Sequence, residues 1–177
     1  MRFQELIHRR YSVRDYLPKE IDPTLLNLIL TAAQFAPTAA NRQPFRLIVI
    51  STAGKQDQLR EIYDREWFVN APIIICACGI PEIAWVREDG KLYLDADIAI
   101  VMDHVSLAAA DLGLGSCWVA SFQTERARDI LQIPDDAEPI VFMSLGYPAG
   151  EPEEKERKPI EELVAYETWF GQIAESH

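Results

Sequence analysis

The side chains best placed to do chemistry fall in four stretches of the chain. Near the N-terminus, Arg10-Tyr11-Ser12-Val13-Arg14 reads as extended, so Arg10, Ser12 and Arg14 project to one side. Two guanidinium forks flanking a hydroxyl match a phosphate, which takes several charge-assisted donors at once. The plainer alternative is that Arg9 and Arg10 neutralise a helix C-terminus while Arg14 is a solvated surface charge. Spacing alone favours that alternative, although a local basic cluster stands out in a chain of formal charge −11. The second stretch is Pro37-Thr38-Ala39-Ala40-Asn41-Arg42-Gln43-Pro44-Phe45. Its small residues let backbone approach a flat ligand, and Asn41 and Gln43 offer donor and acceptor pairs to the edge of a heterocycle. Taken alone, it is an ordinary helix-to-strand loop in which Asn41 satisfies nearby backbone. The third, Gly113-Leu114-Gly115-Ser116-Cys117-Trp118, reads by default as a helix stop and tight turn. The fourth, Lys155-Glu156-Arg157-Lys158, is a charge run of the kind that usually forms a solvated linker; its cations could also complete a phosphate site.

Nucleophilic and metal chemistry find little support. The histidines are His8, His104 and His177, and His104 falls mid-helix, where a hydrogen-bonded imidazole is the simpler reading than a general base. Cys117, followed by a tryptophan in a predicted strand, reads as a buried inert thiol. Cys76-x-Cys78 lacks the spacing and companion histidines of a zinc site. There is no Gly-x-Ser-x-Gly, no Gly-x-Gly-x-x-Gly and no phosphate-loop lysine. Asp95, Asp97 and Asp103 share a helix, with Asp97 and Asp103 off its apolar stripe. No side chain is therefore nominated as catalytic and no residue as a metal ligand. A cofactor is the economical source of reactivity.

Composition narrows the setting. The chain has 177 residues, 49% hydrophobic and 25% charged, a length that suits one domain with its own core. The acidic balance argues against a nucleic-acid or anionic-membrane footprint. The longest apolar run, Ala71 to Pro81, is too short to span a bilayer, and Met1 to Glu5 has no signal-peptide character. Three cysteines do not make a paired secreted framework. A reducing cytoplasm fits best.

The elements that must position these stretches follow from hydrophobic periodicity. A short helix carries Phe3, Leu6 and Ile7, ahead of the extended segment that Pro18 ends. Asp22-Pro23 is a strong helix start, and Leu26, Ile29, Leu30 and Ala33 form a stripe. Leu25, Leu28, Ala32 and Phe35 widen that stripe until the helix should be buried on most sides. Strands are expected over 46–51, 72–78, 116–119 and 139–145. Further helices are expected over 56–66, over 95–112 with Gly113 as its stop, and over 124–131 with Thr124 as its cap. The order lacks regular βαβ alternation, which argues α+β. After Gly150 a charged linker leads to Ile160, Leu163, Val164, Tyr166, Trp169 and Phe170. Apolar residues beyond a solvated linker must wrap their own domain or clasp another subunit.

In this order and spacing the stretches resemble the FMN-dependent nitroreductase family, in its short single-domain type. The family opens with a helix and Arg-Arg/His-Ser-x-Arg/Lys-x-Phe, matched by Arg10-Tyr11-Ser12-Val13-Arg14-Asp15-Tyr16. Its Ala-Pro-Ser-x-x-Asn-x-Gln-Pro-Trp is matched by residues Ala36 to Phe45. Asn70-Ala71-Pro72 before a strand, Gly113 to Val119, Leu145-Gly146-Tyr147-Pro148 and Lys155-x-Arg157 extend the match over nearly the whole chain.

The resemblance implies a mainly antiparallel sheet flanked by helices, spanning residues 1–177 as a 1–150 core and a 151–177 arm. It also implies an intertwined homodimer with FMN at the interface and the arm clasping the partner. Carried over by position, Arg10, Tyr11 (through its backbone), Ser12, Arg14, Lys155 and Arg157 would contact the FMN phosphate, with Arg14 near the pyrimidine edge. Pro37, Thr38, Ala39, Asn41 and Gln43 would reach the flavin from the other subunit, and Val119-Ala120-Ser121 would offer a backbone N–H to N5 or O4. NADH or NADPH would pass a hydride to flavin N5, and a nitroaromatic, quinone or related flat acceptor would follow in a ping-pong cycle. A cation such as Arg14 would stabilise charge on the reduced ring. Tyr11 stands where the family usually has a basic residue, Phe45 where it has tryptophan, and Ser121 where many members have glycine. Two alternatives keep the fold. One is a flavin-sequestering protein with little turnover; the other is a dehalogenating or flavin-fragmenting specialist with a lid over 67–88, containing Trp67, Phe68 and Trp85, for which a core role is at least as good a reading.

Overall fold

The computed structural model describes residues 2–152 and 155–171. Four strands, β1 (Phe45–Ser51), β2 (Ile73–Gly79), β3 (Gly115–Val119) and β4 (Glu138–Gly146), form one antiparallel sheet in the order β1-β2-β4-β3. The helices are α1 (Phe3–Arg9), α2 (Pro23–Gln34), α3 (Gln56–Ile62), α4 (Glu66–Asn70), α5 (Leu94–Asp111), α6 (Thr124–Leu131) and α7 (Ile160–Leu163). This is the expected α+β arrangement.

The period-2 alternation of β2 assigns its faces. Ile75 and Ala77 pack with Ile29 and Ala33 of α2 and Ile98, Val101 and Met102 of α5. Ile74, Cys76 and Cys78 face Leu59, Phe68, Ala127 and Phe142 on the opposite side. With both faces covered, the two central strands read as largely apolar runs, β4 interrupted by Ser144, which is why their positions are plain from sequence. Phe45 packs against the first of these cores, as a substitute for a larger aromatic should.

Local chemistry sets the boundaries. Asp22 caps α2, its Oδ1 accepting the Thr24 N–H at 2.7 Å, and these bonds hold its carboxyl below the usual range. α5 ends as expected: Gly113 adopts φ +77°, and the Leu114 N–H reaches back to the Ala109 carbonyl at 2.8 Å.

Three expectations need correction, and one alternative is decided. The 56–66 helix breaks after Ile62, because Tyr63 turns extended and packs edge-on against Trp67 and Phe68, which begin a new short helix. α6 is capped at Gln123, whose N–H donates to the Ile62 carbonyl at 2.9 Å, and Thr124 is already helical. α2 is buried on one side only, with Phe35 78% exposed and Leu28 also exposed. In the 67–88 segment the core reading holds for Phe68, which is wholly buried, and for Trp67, which packs around it, whereas Trp85 stacks edge-on with Tyr93.

Among the described residues, no helix is long and apolar enough to cross a membrane. In the arm, Ile160, Leu163, Tyr166, Trp169 and Phe170 are all exposed, the last two at 88% and 90%. They do not wrap their own chain.

Candidate functional site

The Arg10–Arg14 segment is held as an extra, loosely paired strand beside β3. Ser12 bridges Ser116 in parallel, and the Val13 N–H donates to the Ser116 carbonyl at 3.0 Å. Val13 is buried while Ser12 and Arg14 are exposed, which is the alternation expected of extended backbone. Gly115 makes this docking possible: a Cβ there would run into the Val13 side chain, lying 2.8 Å from its Cβ. Two residues on, the Tyr16 hydroxyl donates to the Val13 carbonyl at 2.8 Å and meets Ser144 Oγ at 2.7 Å. Burial pushes that phenol far above its usual range, so it serves as a fixed hydrogen-bonding post.

Positive side chains gather around this segment. The buried Cys117 thiol feels Arg14 and Arg10 together and meets Ser12 and Arg14 through their side chains. Its pKa is nevertheless raised, because burial outweighs those cations. Arg14 also lies over the Trp67 ring, 5.8 Å from its centroid. From the far end of the chain, Lys155 Nζ donates to the Ile7, His8 and Arg10 carbonyls, the last at 2.6 Å, and so caps α1. Burial, with Arg10 and Arg157 nearby, lowers the Lys155 pKa. Arg10 and Arg157 are therefore each close enough to Lys155 to repel it. Among the described residues, no carboxylate lies within salt-bridge distance of Arg10, Arg14 or Arg157. Two clefts flank the segment, one of about 410 Å³ lined by Arg9, Arg10, Tyr11 and Ser116, and one of about 340 Å³ lined by Tyr11, Ser12 and Arg14. Tyr11 spans them, its hydroxyl donating to the Gly150 carbonyl at 2.9 Å.

The Pro37–Gln43 loop is elsewhere. Pro37, Asn41 and Gln43 are exposed, and Thr38 and Ala39 half-buried. The loop is closed by its own bonds: Thr38 Oγ1 accepts the Gln43 N–H at 3.0 Å, and Gln43 Nε2 donates to the Asn41 carbonyl at 3.1 Å. Ala40, Asn41 and Gln43 all have positive φ, which residues with a Cβ adopt at a cost. The Ala39 N–H donates to Asp97 Oδ1 at 2.7 Å, near the start of α5, whereas the cation segment lies by its end, where Ala110 and Gly113 line the larger cleft. Asp97 and Ala110 are separated by about 20 Å of helix. The loop and the cation segment thus lie at opposite ends of α5. The Val119–Ser121 stretch leaves β3, with Val119 buried and Ala120 and Ser121 exposed; Ser121 borders a third cleft, of about 390 Å³, with Tyr63 and Phe122.

Asp97 is the residue that periodicity misplaced. It was expected off the apolar stripe, yet it is 2% exposed. Its one signal is position, the first turn of a long helix, where a carboxylate can accept N–H groups. His104 is as expected: its Nδ1 hydrogen donates to the Ile100 carbonyl at 2.9 Å within α5.

The donor set suits a flat, phosphorylated cofactor such as FMN: a crowded cation cluster for the phosphate, and a small-residue loop with exposed amide side chains for a ring.

The chain matches the family model described as Nitroreductase family over residues 7–71 and 60–147. A nitroreductase family protein from Clostridium difficile is 40% identical, with 95% of this chain and 99% of that one covered and a TM-score of 0.87. A Thermus thermophilus protein named NADH dehydrogenase is 27% identical over 189 residues, covering 89% of this chain and 92% of that one. A structure described as an FMN-dependent nitroreductase, also from Clostridium difficile, shares the fold at a TM-score of 0.71 and 24% identity, over 85% of this chain and 90% of that one. With its antiparallel sheet, its cation segment beside β3 and this breadth of similarity, the chain belongs to the nitroreductase family.

Proposed function

We propose that this chain is an FMN-binding, NAD(P)H-dependent oxidoreductase that works as a homodimer and reduces nitroaromatics, quinones or related electrophiles. Residues 1–150 would form its core and 151–177 an arm that clasps the second copy. The observation that carries this reading is the convergence of Arg10, Lys155 and Arg157 from opposite ends of the chain, with Arg14 and Ser12 alongside. Like charges crowded together in a chain of net charge −11 are stabilised by a dianion between them. FMN, when bound, supplies the two-electron hydride chemistry that none of these side chains offers.

The chain's own residues then bind and orient. Arg10, Lys155 and Arg157 would hold the phosphate, with the Ser12 hydroxyl and the Tyr11 backbone completing the donors. Arg14, steadied over Trp67, would set a positive charge near the pyrimidine side of the ring. The half-site of Pro37, Thr38, Ala39, Asn41 and Gln43 would come from the second copy, because in one chain it sits at the other end of α5. Val119, Ala120 and Ser121, where β3 runs out, would present backbone N–H groups to the reactive edge of the ring. A reducing compartment, as in the cytoplasm, keeps Cys76, Cys78 and Cys117 as the free thiols they are.

An absorbance spectrum of the purified protein, with and without added FMN, followed by anaerobic mixing with NADH and NADPH, tests the proposal. Flavin absorbance that bleaches on mixing and returns on adding a quinone is expected. A colourless preparation that ignores added FMN overturns it, and bound flavin that neither nicotinamide bleaches reduces it to flavin sequestration.

A further inference from the structure

A buried carboxylate with one unpartnered oxygen lies beneath the Pro37–Gln43 loop, and the binding scheme above gives it no role. Asp97 Oδ1 accepts the Ala39 N–H at 2.7 Å. Among the described residues, its Oδ2 has no hydrogen-bond partner. A buried acceptor needed only for structure is met more cheaply by serine or asparagine, which leave no second carboxylate oxygen to desolvate. A carboxylate does, however, make the stronger, charge-assisted bond to a backbone N–H. Its place in the first turn of α5 sets it at the positive end of an 18-residue helix, which eases the burial of its charge.

The loop above it requires a strong tether. Ala40, Asn41 and Gln43 adopt φ of 51°, 54° and 50°, without a glycine among them. Bonds internal to the loop close it on itself without fixing it to the scaffold. Its outer end is held by Arg42, whose Nη1 donates to the Ala84 carbonyl at 3.0 Å. Its inner end is held by Asp97. Releasing Ala39 would let the two residues after it relax out of the left-handed region and turn Asn41 away from its present direction.

We infer that Asp97 is a positioning residue: its carboxylate clamps the Ala39 N–H and holds the left-handed Ala40–Asn41 turn in the shape that offers Asn41 and Gln43 to the flavin ring. The flavin part of this inference rests on the function proposed above; the clamp itself does not. Hydrogen exchange of the ligand-free protein, paired with fluorescence titration of FMN, separates the two. In the wild type the Ala39 amide should exchange at least a hundredfold more slowly than an unstructured amide. Asp97→Leu, which fills similar space without an acceptor, should speed exchange across residues 39–43 more than tenfold and leave α5 and β2 protected. It should also raise the FMN dissociation constant at least tenfold. Asp97→Asn keeps an acceptor oxygen but loses the charge-assisted part of the bond, and should fall between wild type and Asp97→Leu in both. Free exchange of Ala39 in the wild type overturns the clamp even if Asp97→Leu fails to fold. So does an Asp97→Leu variant whose residues 39–43 exchange no faster than those of the wild type. If the wild type binds no FMN, the functional proposal fails while the exchange data still decide the clamp.

Discussion

Repulsion of Lys155 by Arg10 and Arg157 would make binding at the proposed phosphate site depend on charge and therefore on pH. A phosphate monoester loses its second charge below about pH 6, so FMN affinity should fall as pH drops through that value. At the alkaline end, burial and the two guanidiniums already favour the neutral amine of Lys155. Without ligand its depressed pKa makes the folded state bind fewer protons than the unfolded one in that range, so stability rises there with pH. A bound dianion should reverse the trend by favouring the ammonium, and FMN affinity should decline earlier than an ordinary lysine would dictate. Titrating FMN by fluorescence quenching from pH 5 to 10 checks both limbs. Arg10→Ala should raise the FMN dissociation constant about tenfold, a loss near 1.4 kcal/mol, while riboflavin, lacking the phosphate, changes little. Equal losses for both ligands would place Arg10 elsewhere than on the phosphate. The residues of the candidate site can be nominated from sequence because types such as arginine, serine and asparagine carry their chemistry wherever they fall. Asp97 cannot, since helical periodicity sorts residues by hydropathy and cannot see a loop N–H waiting above a buried carboxylate.

Element positions were legible where burial is two-sided and obscure where packing decides between conformations. The central strands are placed within a residue or so because β2 is apolar throughout and β4 is apolar but for Glu138 at its start and Ser144. The break between α3 and α4 did not, because a tyrosine–tryptophan–phenylalanine cluster overrides a continuous helical pattern there. Contact between separate elements was equally hidden: nothing in Gly113-Leu114-Gly115 says that the second glycine is the floor on which Val13 sits. That contact gives a sharp test. Gly115→Ala should overpack the junction, destabilise the protein by about 1–3 kcal/mol in a urea unfolding curve, and weaken FMN binding by displacing Arg10 and Arg14. Gly113→Ala, where φ is positive and nothing crowds the site, should destabilise without affecting FMN. The α2 cap gives an acid-side prediction. The Asp22 carboxyl titrates below its unfolded value, so its contribution is present above the ordinary aspartate pKa and lost as pH falls through the lower folded one. Asp22→Ala should lower Tm by a few degrees at neutral pH, with the difference closing toward pH 2.

For the whole molecule, the strongest pointer to a second copy is the apolar surface that one chain leaves uncovered. Leu28 and Phe35 on α2 and Ile100 on α5 are exposed, as are the arm residues Leu163, Tyr166, Trp169 and Phe170. A symmetric pair exchanging arms would bury both sets with one kind of contact, and it would bring the Asn41 half-site of each copy toward the cation half-site of the other. Burying Trp169 and Phe170 in both copies is worth on the order of 1.5–3 kcal/mol per ring, enough to make them principal contributors to association. Trp169→Ala combined with Phe170→Ala should therefore convert a dimer into monomers at micromolar concentration by sedimentation velocity. Because the proposed flavin site is shared, bound FMN should be lost in step with the dimer, and raising protein concentration should restore both together. A double variant that is monomeric yet keeps its flavin would assign the whole site to one chain. A wild type that sediments as a monomer, with flavin bound, would leave the exposed arm to some other surface.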